Sequence, residues 1–145
     1  MPHRKLAMLL TCSIVFFSTI SLAWSKFPEV NQDIRNVAVN AKLKAQPKAV
    51  LLYAKGLCCP SCAIGIRKMI SRLPFVDTSK DNSGVELDAK HQLVTITLKQ
   101  GTLPNFGALS DAIVQAGYEP VHGYKWASGK VVTLELAQKL YRMVP

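Results

Sequence analysis

At Gly56 the hydrophobic period of the chain changes, and the residues at the change are Gly56-Leu57-Cys58-Cys59-Pro60-Ser61-Cys62. Before them, Ala49 to Lys55 is rich in Val, Leu and Tyr, the composition of a largely buried strand. After them, Ala63, Ile66, Met69, Ile70 and Leu73 recur on one helical face, with Arg67, Lys68 and Arg72 turned from its centre. Pro60 suits the first helical turn, where its missing N–H is not needed, and Pro74 stops the helix near Leu73. Cys59 and Cys62, in Cys-x-x-Cys spacing, therefore fall between a strand end and a helix start. Unpaired N–H groups and the positive end of the helix dipole favour the thiolate form there. Two thiolates on one tight turn can clamp a soft metal ion, or they can cycle as a dithiol/disulfide pair.

The following residues supply a frame for that loop. Val76 to Gly84 is turn chemistry throughout and is expected to be a polar loop. Val85 to Asp88 alternates as a short strand, Ala89 to Gln92 reads as a hairpin turn, and Leu93 to Leu98 alternates again. Pro104 opens a second helix carrying Phe106, Leu109, Ile113 and Ala116 in register, closed by Gly117. Tyr118 to Tyr124 is a last, weaker strand, and Pro120 points to a sheet edge. The order is β-α-β-β-α-β. It predicts an α+β, ferredoxin-like sandwich, a four-stranded antiparallel sheet with two helices on one face. In that topology the cysteine loop, the 89–92 turn and Gly117-Tyr118 share one end, and the 76–84 loop lies at the other.

The flanks carry weaker patterns. Lys26 to Pro47 is polar, with Val30, Ile34 and Val37 at helical spacing diluted by Asn36 and Asn40, so a flexible or loosely docked leader is expected over 26–47. The domain proper then spans 48–125. In the extension 126–145, Leu136, Leu140 and Val144, with Ala137 and Tyr141, form a helical stripe that Thr133 could cap. A short C-terminal helix is expected there, packed on the exposed sheet face or against a partner.

The first residues read as an address rather than as structure. Arg4 and Lys5, an apolar run from Leu6 to Leu22, and small residues at Ala23 and Ser25 follow the order of a secretory signal peptide. Residues 1–25 are expected to be that signal, cleaved after Ala23 or Ser25, with an uncleaved membrane anchor as the alternative. Cys12 reads as a small apolar residue of the signal, because the apolar run continues past it and Thr11 is bulky for a lipidation site. The destination is periplasmic or secreted, an oxidising setting. Cys58, Cys59 and Cys62 remain there, an odd number that forms no multi-disulfide framework. The formal net charge of +9 is spread along the chain as a solvated surface. It contains no dense basic run interleaved with aromatics, so nucleic acid is not an expected partner.

With this loop and this element order, the sequence resembles the heavy-metal-associated (HMA) domain family. Gly56-Leu57-Cys58-Cys59-Pro60-Ser61-Cys62 is similar to that family's Gly-Met-x-Cys-x-x-Cys loop. Leu87-Asp88, Leu93 to Leu98, and Leu109 to Tyr118 are similar to its later strands and closing helix. The resemblance covers about half of the chain, and with the export signal it is most similar to small periplasmic mercury- or copper-binding members. It implies that Cys59 and Cys62 bind one soft ion, Cu(I) or Hg(II), and pass it by ligand exchange to a metal-transport membrane protein or another acceptor with exposed thiols. A metal-bridged homodimer is a further arrangement it allows. No enzymatic activity is implied.

The residues keep several alternatives open. Structural zinc wants four ligands, and no second Cys-x-x-Cys is present, so zinc is disfavoured. A thioredoxin-like dithiol protein would need a β-α-β framework ahead of the motif, where only the 26–47 leader stands. It is the alternative function. Leu57 replaces the family's Met, a volume-conserving exchange for a side chain expected in the core. Cys58 is either a third ligand or a neighbour turned away, since adjacent residues on an extended segment point oppositely. Tyr118 is either a cover over the ion or a core residue. His91 shares the cysteine end as a solvated turn residue, Met69 belongs to the buried stripe, and His122 is expected toward the opposite end of its strand.

Overall fold

The computed structural model describes residues 29–58 and 61–136, with Cys62 described in its backbone alone. The expected signal peptide, Cys59, Pro60 and residues 137–145 lie outside the described residues.

Strand β1 (Ala49–Lys55) lies at the centre of a five-stranded antiparallel sheet. Its alternate residues face opposite sides, and both sides are covered, so every residue but Lys55 is buried. Helix α2 (Cys62–Ile70) follows, then β2 (Val85–Asp88), β3 (Leu93–Thr97), α3 (Phe106–Gln115), β4 (Glu119–Ala127) and β5 (Lys130–Glu135). The strand order is β2-β3-β1-β4-β5. The segment from Ala49 to Ala127 therefore has the expected β-α-β-β-α-β order, in an α+β fold.

One face of the sheet contributes Val50, Leu52, Val85, Val94 and Ile96 to a core closed by Ile66 and Ile70 of α2 and Leu109 and Ile113 of α3. Asn105 caps α3, its side chain accepting from the Ala108 amide at 3.0 Å. At Gly123 of β4 a Cβ would stand 2.5 Å from the Phe106 ring, so only glycine lets α3 approach there. The loop between α2 and β2 closes with Asn82, Ser83 and Gly84 all at positive φ. A Cβ at Gly84 would meet the Asp77 carbonyl oxygen at 2.3 Å.

The opposite face differs from expectation. Residues 32–45 are not a flexible leader but a docked helix, α1 (Gln32–Ala45), capped by the Asn31 side chain. The stripe Val30, Ile34, Val37 is not its inward face, since Ile34 and Val37 are 54% and 71% exposed. The buried face is Arg35, Val39 and Leu43, spaced by four, packed over Leu51, Tyr53, Leu93 and Tyr124. A reading that looks for apolar residues misses this face because its first member is arginine. Lys42 of α1 reaches Glu86 and Asp88 of β2 at 3.6 and 3.5 Å.

The C-terminal extension also differs. Residues 130–135 are a fifth strand, so Thr133 is not a helix cap. The rest of the expected C-terminal helix, with Ala137, Leu140, Tyr141 and Val144, lies outside the described residues. Ser128 and Gly129 have φ of 52° and 78°, the geometry of a two-residue hairpin turn that matches strand twist. Val131, Val132 and Thr133 are β-branched, which favours pairing over helix. With β5 in place, β4 is interior from His122 onward. The sheet edge expected from Pro120 is not what β4 forms, since β4 lies between β1 and β5 and Pro120 is buried. The residue that continues β5 past Leu136 lies outside the described residues. Across β1, Tyr53 pairs with His122 and Ala54 with Pro120, leaving Val121 as the extra residue of a β-bulge. Among the described residues no helix is long and apolar enough to cross a membrane.

Candidate metal centre

The cysteine loop leaves the sheet at Gly56, whose φ of +87° is the left-handed turn a glycine accepts without strain. The Leu57 amide then donates to the Ala54 carbonyl at 3.4 Å, folding the chain back over the end of β1. Leu57 is buried in the core with Ile66, which is where the Met-to-Leu exchange was expected to put it. Cys58, the next residue, is half-buried and carries a free thiol. Ser61 occupies the N-cap position of α2, and the backbone of Cys62 is the first residue of that helix. N–H groups of a first turn lack intrahelical acceptors, so this is an electropositive position for a sulfur. Cys59 and the Cys62 side chain lie outside the described residues. Among the described residues no three His, Cys, Asp or Glu side chains converge as a metal site.

The three loops expected at one end do meet there. The Ala54 amide donates to the Gln92 carbonyl at 3.1 Å, tying the 89–92 turn to the base of the cysteine loop. Lys55 and Glu119 face each other at 4.0 Å across β1 and β4, an exposed pair of little energetic weight. Tyr118 follows Gly117, whose φ is +90°. Its half-buried ring packs on the core and lies 3.8 Å from where a Cβ on Gly56 would stand. Burial, and then the negative charge of a Cys58 thiolate, push the Tyr118 phenol above its ordinary value. Tyr118 therefore packs on the core, as one of its two readings expects, and its ring stands beside Gly56 at the start of the loop.

The other candidates are held by other partners, and His91 is partly buried and not the solvated turn residue expected. His91 is at the cysteine end, but its Nδ1 is 2.8 Å from Asp88 Oδ2 on the α1 face. Burial opposes ionisation of Asp88, yet the hydrogen bonds from the His91 ring and amide, with Lys42 nearby, hold its carboxyl below the ordinary value. His122 is not at the far end of its strand. It is the fourth residue of a nine-residue β4, opposite Tyr53 and 6.0 Å from that ring, with Nε2 3.0 Å from Glu135 Oε1. The longer strand and the bulge moved it. Met69 is half-buried against the core, as its stripe required.

A cleft of about 510 Å³ lies at the other end, lined by Lys48, Lys80, Thr95 and Thr97 among others. It contains no sulfur. Sequence reasoning missed the polar network beneath α1, centred on Arg35 and Gln92. The spacing Arg35-Val39-Leu43 was the available signal.

Compared with protein-family models, with curated proteins and with solved structures, the chain matches none.

Proposed function

We propose that this chain is an exported carrier that holds one soft metal ion, Cu(I) or Hg(II), between Cys59 and Cys62 and hands it on by thiolate exchange. The β-α-β-β-α-β unit is read as a ferredoxin-like, HMA-type domain, enlarged by α1 on the second sheet face and by β5 on the edge. The observation that carries the reading is the position of the Cys-x-x-Cys segment. Its described flanks are the tight turn at Gly56 after the central strand and the first residue of α2, with Leu57 buried in the core and Tyr118 beside Gly56.

Soft thiolates prefer soft ions, and two of them leave coordination positions open. An incoming thiolate of the acceptor adds to the ion as a third sulfur. One carrier thiolate then leaves and a second acceptor thiolate displaces the other, so the ion is never free in solution. The protons lost by the acceptor thiols balance those the carrier regains. Binding to the carrier displaces any thiol protons, and transfer returns the cysteines to the dithiol form. Tyr118 limits water at the loop, and Cys58 is a candidate third sulfur. The acceptor is a metal-transport membrane protein or another protein with exposed thiols. The work is carriage, not catalysis.

X-ray absorption on the Cu(I) and Hg(II) complexes of the reduced protein, with thiols counted before and after loading, tests this. Two or three sulfurs on one ion support the reading, and the number decides the role of Cys58. A protein that holds neither ion but cycles a Cys59–Cys62 disulfide readily would instead be the dithiol redox protein.

A further inference from the structure

Arg35 is the least expected residue in the interior, 1% exposed on the inner face of α1. A buried guanidinium persists only where its donors are met. Its Nη1 donates to Gln32 Oε1 at 2.7 Å, and its Nη2 to the Val30 carbonyl at 2.9 Å and to Gln92 Oε1 at 3.1 Å. Its Nε donates to the His91 carbonyl at 3.3 Å, and its plane lies 3.4 Å over the Tyr53 ring. Every one of these acceptors is a neutral oxygen. Two of them belong to consecutive residues of a single turn, and that turn is the one against the cysteine loop.

Gln92 is itself held in an unusual conformation, buried at 3% exposure with φ of 58°. A non-glycine residue adopts that region at a cost, which the surrounding bonds must offset. Its backbone carbonyl accepts from the Ala54 amide, and the Ala54 carbonyl in turn accepts from Leu57, the residue before Cys58. On the other side of β1, Ala54 faces Pro120, which has no N–H to give, next to the Val121 bulge. The end of β1 is therefore irregular toward β4, and its alignment comes from the Gln92 side.

We propose that Arg35 is a positioning residue for the cysteine loop, acting through Gln92 and Ala54 from the far face of the sheet. The proposal rests on the reading of that loop as the metal-exchange site. Helix α1 is then a brace for the loop and not an ornament on the domain. A lysine at position 35 keeps the charge but cannot reach the His91 carbonyl and the Gln92 side chain together.

The test is amide hydrogen exchange on the reduced, metal-free protein, followed by Cu(I) competition on the same samples. Arg35→Lys is compared with Leu43→Ala, which loosens α1 two turns away without touching the 91–92 turn. In Arg35→Lys, exchange at Ala54 and Leu57 should rise about tenfold or more relative to the interior amide of Ile96, with weaker Cu(I) retention. In Leu43→Ala that ratio should stay at the wild-type value. If Arg35→Lys does not fold, Gln92→Gly removes the same side-chain link at a φ that glycine accepts, and the same change is expected. Unchanged ratios in the Arg35 or Gln92 variant, or an equal rise in Leu43→Ala, overturn the proposal. If the wild-type protein retains no Cu(I), the carrier reading fails by itself, while the exchange ratios still decide whether Arg35 positions the loop.

Discussion

Tyr118 and Gly56 face one another across the cysteine end, 3.8 Å separating the tyrosine Cδ1 from the place a Cβ on the glycine would take. The two residues come from different loops, one closing α3 and the other leaving β1. Their proximity places a ring that packs on the core beside the exposed turn that opens the loop. Removing the ring should uncover the loop without dismantling the sheet. Tyr118→Ala is expected to cost about 1–2 kcal/mol, less than a fully buried aromatic because the ring is half-buried. Tyr118→Phe should cost less than about 0.5 kcal/mol. Urea unfolding reads the stability, and the rate of thiol labelling in the reduced protein should rise in Tyr118→Ala alone.

Asp88 gives the fold a dependence on acid. Its carboxyl is held below its ordinary value of 3.8 because the His91 bonds outweigh the effect of burial. A depressed carboxyl contributes stability above its unfolded value, and the contribution is lost as pH falls through the folded value. The melting temperature of the wild type should therefore drop more steeply below about pH 4 than that of Asp88→Asn. Above about pH 5 the variant should be the less stable of the two, because an amide cannot accept from His91 and pair with Lys42 as a carboxylate does. Melting curves across pH 2–6 check both limbs.

The β4–β5 turn places a serine where asparagine is better suited. Ser128 at φ 52° and Gly129 at φ 78° adopt a turn whose favoured pair is Asn-Gly. Ser128→Asn should stabilise the protein by about 0.3–0.5 kcal/mol, and Gly129→Val should destabilise it by about 1 kcal/mol or more. Denaturant midpoints of the two variants, moving in opposite directions, measure the weight of β5 in the fold.

Tyr53 shows why the second face of the sheet was harder to read than the first. Its neighbours in sequence, Leu52 and Ala54, point into an apolar core that alternation announces directly. Tyr53 instead donates to the Glu29 carboxylate and lies under Arg35, and burial with that bond pushes its phenol up to about 12. Polar side chains that bury themselves by pairing do not register as a hydrophobic stripe, so α1 looked like a leader. At the other end, Val131 to Thr133 and the Ser128-Gly129 turn make residues 130–135 a strand, and the helical stripe of Leu140 and Val144 lies outside the described residues. The flanks of the loop were the clearest part. Gly56, Leu57 and Tyr118 were legible because a turn, a core contact and a loop end are each fixed by nearest neighbours and element order.

Competition titration of the reduced protein with Cu(I) and Hg(II) against a chelator, run beside Cys62→Ser, tests the carrier account most directly. The account predicts one tightly held ion per wild-type chain, and at least about a thousandfold loss of affinity, equivalent to about 4 kcal/mol, in a Cys62→Ser variant that keeps its fold. Equal affinity in the two proteins, or weak binding by the wild type, would contradict it.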